Sequence, residues 1–363
     1  MFFHNYIPPL FKKISWYFRF IIAYSNININ YVDNIIALNI QKFKDINQNL
    51  NQEQEVQEDE EINKWYFIKN IQWEWKDLNI ILVFAESLSA IDSANVGWND
   101  NMPKFDQIQE GWITFPNFIA NWTTSDTAHI ATLFWVVPLV NMMKWNTPYS
   151  WYKLKMDPLP EFLNEQWYMT TFISAVSLDF LKQRDFLSLA WFQKIIWEEE
   201  FEKNKKYTFD SAPDGDLYDR VLQEVQVQTW KYFIWLQTIS YHKPYNTPWW
   251  NTEALALKYA DDELYRFYQE LQEIWFFDNW ILVIMWDHRK MNPVEDWEPE
   301  MIGPNWYMKS VATVVWSWIQ SQTINPNIIQ HMDVYNSLKR LLWHWNIDVD
   351  GIYNDVFTQK INR

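Results

Sequence analysis

The sequence predicts an α/β fold, a mostly parallel central sheet sandwiched by helices, and three observations carry that prediction. Short runs rich in β-branched and aromatic residues recur from about residue 75 onward. Several are apolar on both faces, as parallel strands covered by helices on each side must be. Amphipathic helical stretches lie between them, and strand–helix alternation implies layers around a parallel sheet. With 363 residues, 48% apolar and 21% charged, the chain can bury a sizeable core.

Taken in order, residues 1–43 are aromatic and mildly basic, with Lys12, Lys13 and Arg19. Their longest apolar run, "FRFIIAY", falls far short of the ~20 residues that cross a bilayer. No apolar stretch followed by a small-residue cleavage site marks a signal peptide. This segment reads as juxtamembrane-like. Residues 44–74 open with "KDINQNLNQEQEVQEDEEI", too polar and acidic to build a core, and read as a linker. The folded domain occupies 75–363. Its strands are "NIILVFA" (79–85), "YMTTFISA" (168–175), "KYFIWLQTI" (231–239), "ILVIM" (281–285) and "SVATVVW" (310–316). The clearest helix is 252–274, where Leu257, Ala260, Leu264, Phe267, Leu271 and Ile274 recur at three- and four-residue spacing. No internal repeat is visible.

Net charge is −16 with a pI near 4.8, which argues against a nucleic-acid footprint. An acidic protein that handles an anionic substrate needs a local cation, and a bound metal is the simplest source. There is no cysteine, so disulfides, thiolate metal sites and cysteine nucleophiles are excluded. Tryptophan is anomalous at 26 residues against 5 glycines, where ordinary usage predicts roughly 25 glycines. The missing glycines are about as many as the surplus tryptophans. Trp167 and Trp275 follow amphipathic helices where a C-terminal glycine belongs. Trp98 and Trp280 fall in loop chemistry, and Trp286 stands between "ILVIM" and Asp287-His288 where a tight turn to glycine is expected. The expectation is that most of these positions are glycines in the organism, the pattern left when a UGA codon reassigned to glycine is read as tryptophan. Codon usage at these sites tests it.

In open α/β sheets, ligands bind beyond the carboxyl ends of strands. Glu86 directly follows "NIILVFA", Asp287 and His288 follow "ILVIM" after one residue, and His242 lies beyond "KYFIWLQTI" in "SYHKPY". Singly, Glu86 reads as well as a helix cap, and each histidine as a hydrogen-bonded structural residue. Three strand ends bearing such groups favour a metal site. Within "NWTTSDTAHIATLFW" (121–135), Thr123, Thr124, Ser125 and Asp126 open a helical stretch. This is either an ordinary N-cap or a hydroxyl nucleophile at a helix N-terminus that favours phosphate.

The ordered set "FAESLSAID", "NWTTSDTAH", "QTISYHKPY" and "IMWDHRK" resembles the catalytic domain of lipoteichoic acid synthases, phosphoglycerol transferases of the sulfatase and alkaline phosphatase superfamily. The resemblance covers roughly residues 76–363 and implies an alkaline phosphatase/sulfatase-like fold. It implies that Glu86, Thr124, Asp287 and His288 bind one divalent ion, with Thr124 also the nucleophile and Thr123 the alternative. His242 would contact the glycerol-phosphate group, and Arg289 would help neutralise phosphate. Oxygen donors with one imidazole and no thiolate suit Mn2+ foremost, with Mg2+ or Zn2+ as alternatives. The implied partners are a phosphatidylglycerol-like lipid donor and a glycan or polyglycerolphosphate acceptor at a membrane surface, on the extracytoplasmic face of the cell envelope.

The chain departs from the family in lacking the usual transmembrane helices before the catalytic domain. The expectation is a late start or a separate membrane component. A formylglycine-type sulfatase needs a C/S-x-P-x-R context near the nucleophile, which is absent. Related phosphoethanolamine transferases are usually disulfide-rich, which this chain cannot be. The nearest alternative activity is a phosphodiesterase or phosphatase, or a sulfuric-ester hydrolase, of the same superfamily. A different class, a non-catalytic Trp-rich carbohydrate-binding protein, predicts Trp rings on one exposed face and Glu86, Thr124, Asp287 and His288 scattered apart.

Overall fold

A computed structural model describes residues 78–97, 99–121, 123–136, 147–151, 158–203, 206–249, 251–274, 280–290, 309–316, 323–324 and 328–342. The segments 1–43 and 44–74 lie outside them, as do Trp98, Trp122 and Trp275.

The apolar runs form an eight-stranded sheet in the order β5-β4-β6-β1-β7-β8-β2-β9. These strands are β1 (Asn79–Ala85), β2 (Ile113–Phe115), β4 (Met169–Ser174), β5 (Lys194–Ile196), β6 (Tyr232–Gln237), β7 (Trp280–Trp286), β8 (Ala312–Trp316) and β9 (Thr323–Ile324). A separate pair joins β3 (Phe118–Ile119) to β10 (Ile329–Gln330) in parallel. The ladders β5–β4, β4–β6, β6–β1 and β1–β7 are all parallel. Among the described strands, only β8 runs against its neighbours, antiparallel to both β7 and β2. The predicted mostly parallel sheet is therefore present, with one reversed strand.

Helices α1 (Pro103–Gln109), α2 (Ser125–Phe134), α3 (Pro148–Trp151), α4 (Leu159–Glu165), α5 (Gln183–Leu189), α6 (Asp214–Val227), α7 (Glu253–Glu273) and α8 (His331–Leu342) complete the fold. Alternate residues of the central strands feed opposite layers, as the two-residue strand period requires. Ile80, Leu82, Phe84, Ile281, Val283 and Met285 pack toward Ile130, Leu163, Phe186 and Leu338, on α2, α4, α5 and α8. Ile81, Val83, Leu282, Ile284 and Trp286 pack toward Phe105, Leu217 and Leu264, on α1, α6 and α7. Each such fully buried side chain contributes roughly 1.5–3 kcal/mol. Among the described residues, no helix is long and apolar enough to cross a membrane.

Among the described residues, two groups of these tryptophans stand out. Trp135, Trp167 and Trp191 follow α2, α4 and α5 with φ of 52°, 67° and 61°. This is the left-handed region in which helix ends favour glycine. Trp280 and Trp286, by contrast, are the first and last residues of β7 and are not among the positive-φ residues. The expectation of a tight turn at Trp286 is corrected here. The strand runs through that position in extended backbone, and its fully buried indole packs edge-on against Phe105 at 4.4 Å between ring centroids.

Candidate active site

β1 and β7 are paired in register to their last residues, Ala85 opposite Trp286. The residues that follow, Glu86 and Asp287-His288, therefore leave the same sheet edge side by side. Ser87 takes φ 57°, a conformation that costs a non-glycine residue of order 1–3 kcal/mol and collects at functional sites. The turn aims the Ser87 N–H at Asp287 Oδ1, 2.8 Å away. That same oxygen accepts the His288 N–H at 2.7 Å. The Asp287 N–H is held by the Ala85 carbonyl at 3.1 Å. On the other side, the Glu86 N–H donates to Thr238 Oγ1 at 2.9 Å, tying the exit of β6 to that of β1.

Glu86, Asp287 and His288 each offer one ligand atom, and these atoms lie within 4.8 Å of one another. His288 Nε2 is 3.4 Å from Asp287 Oδ2 and 3.9 Å from Glu86 Oε1. All three are buried, and His288 Nε2 has no hydrogen-bond partner among the described residues. Its other nitrogen, Nδ1, lies 2.8 Å from the Arg289 carbonyl, leaving Nε2 as the lone-pair face toward the carboxylates. Burial, and then the Asp287 charge, push the Glu86 carboxyl well above its ordinary range. Two buried carboxylates facing an imidazole lone pair are costly without a cation. The donor set fits one divalent metal ion.

A hydroxyl from the N-terminus of α2 joins this cluster. Ser125 Oγ donates to Asp287 Oδ2 at 2.6 Å and lies 3.5 Å from Glu86 Oε2. Thr124, the N-cap residue, turns its hydroxyl instead to Asp126 Oδ1 at 2.6 Å, with Thr127 Oγ1 at 3.1 Å. Asp126 is buried, which raises its carboxyl pKa, and it also accepts the Thr127 N–H at 2.9 Å. Thr123 is exposed. Two hydroxyls thus stand at the helix start, one on the ligand cluster and one on a buried carboxylate.

His242 and Arg289 stand outside the ligand cluster. His242 follows β6 at the same sheet edge, its ring edge-on to Phe209 at 4.6 Å and its Nδ1 2.6 Å from the Lys243 carbonyl. Burial lowers its pKa. Arg289 is buried, with Nη1 donating to the Lys290 carbonyl at 2.8 Å.

Several residues outside the predicted ligand and nucleophile set also shape the site. Asp214 opens α6 and accepts the N–H groups of Ile239 and Ser240 at 2.9 and 3.1 Å, while its own N–H donates to Ser240 Oγ at 2.9 Å. It thereby anchors the loop that carries His242. Its sequence signal is the stretch "SAPDGDLYDR", in which Asp214 and Asp216 fall where the resemblance places a substrate-facing loop. His129 and His331 lie fully buried beneath the cluster, where burial pushes them down to about 3 and about 4, so both are neutral imidazoles.

These shifts have a sign. A carboxyl whose pKa rises on folding favours the fold at low pH and loses that contribution as pH rises through its folded value. For Asp214 the loss runs from its ordinary 3.8 to about 6, and Glu86 acts in the same direction. Across this window Asp214 and Glu86 favour the fold less as pH rises, whereas His129 and His331, held neutral by burial, act in the opposite sense and favour it more as pH rises toward 6.5. Cation binding should expel a proton from Glu86, so that apparent affinity climbs with pH. Calorimetry in two buffers of different ionisation enthalpy measures that proton, and identical heats in both would contradict it.

A parallel sheet sandwiched by helices thus brings carboxylates, an imidazole and a helix-terminal hydroxyl together at its carboxyl edge, a donor set that suits a divalent ion. The sulfatase family model matches residues 78–343, so the chain belongs to the sulfatase family, whose fold and activity make it an enzyme acting on phosphate or sulfate esters. Solved structures share the fold. The lipoteichoic acid synthase LtaP from Listeria monocytogenes matches with a TM-score of 0.66 at 17% identity, covering 78% of this chain and 76% of its own. A protein of the alkaline phosphatase superfamily from Vibrio parahaemolyticus matches at 0.63 and 21%, covering 74% and 67%. The C-terminal periplasmic domain of EcEptC from Escherichia coli, in complex with Zn, matches at 0.52 and 14%, covering 73% and 82%.

Proposed function

We propose that this protein is a divalent-metal-dependent phosphoglycerol transferase. The observation that carries the reading is the convergence of Glu86, Asp287 and His288 with the Ser125 hydroxyl at the N-terminus of α2, directly after Thr124. A carbohydrate binder does not predict that convergence. Glu86, Asp287 and His288 would hold the ion, Mn2+ foremost, with Mg2+ or Zn2+ as alternatives. When bound, the ion neutralises charge on the phosphoryl oxygens and favours the alkoxide form of a nearby hydroxyl.

The chain's own residues do the rest. Thr124 Oγ1 attacks phosphorus of a phosphatidylglycerol-like donor. The bond to the diacylglycerol oxygen breaks, and that oxygen leaves with a proton. The product is a phosphoglyceryl ester of Thr124. The acceptor hydroxyl then attacks the same phosphorus, its proton passes back to Thr124, and the acceptor leaves extended by one glycerol phosphate. Asp126, 2.6 Å from Thr124 Oγ1, is placed to hold the proton in both steps. The α2 N-terminus favours the anionic phosphoryl group. His242 and Arg289 are assigned to the glycerol-phosphate group. The acceptor is a glycan or polyglycerolphosphate chain, and the reaction belongs on the extracytoplasmic side of a membrane.

A second assignment of the nucleophile rests on a specific contact, the 2.6 Å bond from Ser125 Oγ to Asp287. The two are separated by incubating the protein with Mn2+ and a phosphatidylglycerol analogue and mapping the phosphoglyceryl mass increment. Loss of the increment in Thr124→Ala and its retention in Ser125→Ala is expected. The reverse pattern transfers the role to Ser125. Growth of a polyglycerolphosphate acceptor is expected alongside. Release of free glycerol phosphate without acceptor growth would make the enzyme a phosphodiesterase.

A further inference from the structure

The geometry points to His331 as a positioning residue that sets the hydroxyl-bearing loop before α2 against the ligand-bearing end of β7. This rests on the reading of Glu86, Asp287, His288 and the α2 hydroxyls as one reaction site.

His331 is the first residue of α8, fully buried, and distant in sequence from everything it touches. Its Nε2 lies 2.9 Å from the carbonyl of Trp286, the residue immediately before the Asp287-His288 pair. Its Nδ1 accepts the N–H of Asn121 in a long bond of 3.4 Å, at the head of the loop leading to Thr124 and Ser125. The ring is stacked on Phe84 at 5.4 Å and 26°, two residues before Glu86, and stands edge-on to Phe118 at 4.9 Å and 88°. One imidazole thus touches the three segments that deliver the carboxylates, the histidine and the hydroxyls.

The chemistry leaves a single arrangement. A carbonyl only accepts and an amide N–H only donates, so Nε2 must carry the proton and Nδ1 the lone pair. A second link runs parallel to the first, the Met332 N–H donating to Asn121 Oδ1 at 3.4 Å. The start of α8 is itself held, because the Gln330 N–H donates to Asp333 Oδ2 at 2.7 Å. Pairing of β10 with β3 places it beside Phe118–Ile119, two residues upstream of Asn121. His331 is therefore a rigid spacer between the loop that carries the hydroxyls and the strand end that carries Asp287 and His288.

Two conservative variants separate its two bonds. The amide nitrogen of His331→Gln overlays Nε2 and keeps the Trp286 link while losing the Asn121 link. The amide oxygen of His331→Asn overlays Nδ1 and does the opposite. Three measurements on the full chain follow: Mn2+ affinity by titration, kcat and KM on a chromogenic phosphodiester with Mn2+, and amide exchange at Asn121, Thr123, Thr124 and Ser125. His331→Gln should keep parental Mn2+ affinity and KM, lose about tenfold in kcat, and exchange faster at those amides. His331→Asn should keep parental exchange there and bind Mn2+ at least tenfold more weakly, the usual effect of disturbing a metal ligand's support. His331→Phe, which packs but makes neither bond, should show both losses.

A purely structural role would lower Tm in all three variants and leave kcat, Mn2+ affinity and loop exchange of the folded protein unchanged, which overturns the proposal. If the parental protein shows no Mn2+-dependent turnover, the transferase reading fails by itself. Amide exchange still decides the role of His331, because unchanged protection in His331→Gln and His331→Phe would sink it regardless of activity.

Discussion

Asp287→Asn is expected to lower turnover about a thousandfold, the several kcal/mol a bound cation supplies at phosphorus, and to abolish the rise in Tm that Mn2+ confers. The substitution reads charge with little change of shape. Asp287 Oδ1 accepts the Ser87 and His288 N–H groups, and an asparagine oxygen continues to accept both. What changes is the second oxygen, which receives the Ser125 hydroxyl and faces His288 Nε2 at 3.4 Å. An amide nitrogen there can neither ligate a cation nor accept that hydroxyl. With one carboxylate gone, the repulsion acting on Glu86 also falls. The cation-free variant should therefore unfold at a temperature equal to or above that of the parent. Loss of activity together with loss of fold would mean that Asp287 serves mainly to pin the strand ends. Parental Mn2+-dependent turnover would remove it from the ligand set altogether.

The elements that carry this site were legible because their signal is local. "NIILVFA" coincides with β1, and the runs at 231–239 and 281–285 bracket β6 and β7 to within two residues. Strands buried on both faces have no polar register to confuse them. The helix read over 252–274 is α7 to within a residue at each end, with Thr252 capping it through Leu255 N–H. By contrast β2, β3, β5, β9 and β10 are two or three residues long, too short for any period to show. The reversal of β8 was also out of reach, because a strand's direction is decided by the connection that delivers it.

The site divides in the same way. Glu86, Asp287 and His288 sit immediately after strands, where polarity breaks an apolar run. His331 touches Asn121 and Trp286 across 210 and 45 residues, and no local pattern announces such a contact. The choice among Thr123, Thr124 and Ser125 turns on where the helix begins. Adjacent residues of a helix point about 100° apart, so a one-residue shift of the start exchanges the hydroxyl on Asp287 for the one on Asp126.

The tryptophans supply the other large expected effect, and it has opposite signs at different sites. Trp167 and Trp191 follow helices in the left-handed region and are 75% and 61% exposed. A side chain there strains the backbone by roughly 1–2 kcal/mol relative to glycine, and little burial is lost on removing it. The double variant Trp167→Gly, Trp191→Gly should gain on the order of 2 kcal/mol, less what glycine adds to the entropy of the unfolded chain. In a domain of this size that is a rise in Tm of several degrees. The Trp230 indole N–H should keep its acceptor, because it bonds the backbone carbonyl of Trp167. Trp135 makes a weaker test, since its ring lies parallel to Tyr335 at 6.5 Å and glycine would forfeit that packing. Trp286→Gly should behave in the opposite way. Its backbone is extended, so no strain is relieved, and its buried ring packs against Phe105. Truncating a core tryptophan costs about 3–5 kcal/mol. Its Nε1 has no acceptor among the described residues, and relief of that unpaired N–H returns about 1–3 kcal/mol. The net is a loss, and Trp286→Phe, which keeps the ring and drops the N–H, should equal or exceed the parent in stability. Thermal unfolding of these variants side by side tests whether glycine belongs at the helix ends on physical grounds. A double variant no more stable than the parent would show that the left-handed tryptophans carry no strain, and the case for glycine would then rest on codons alone.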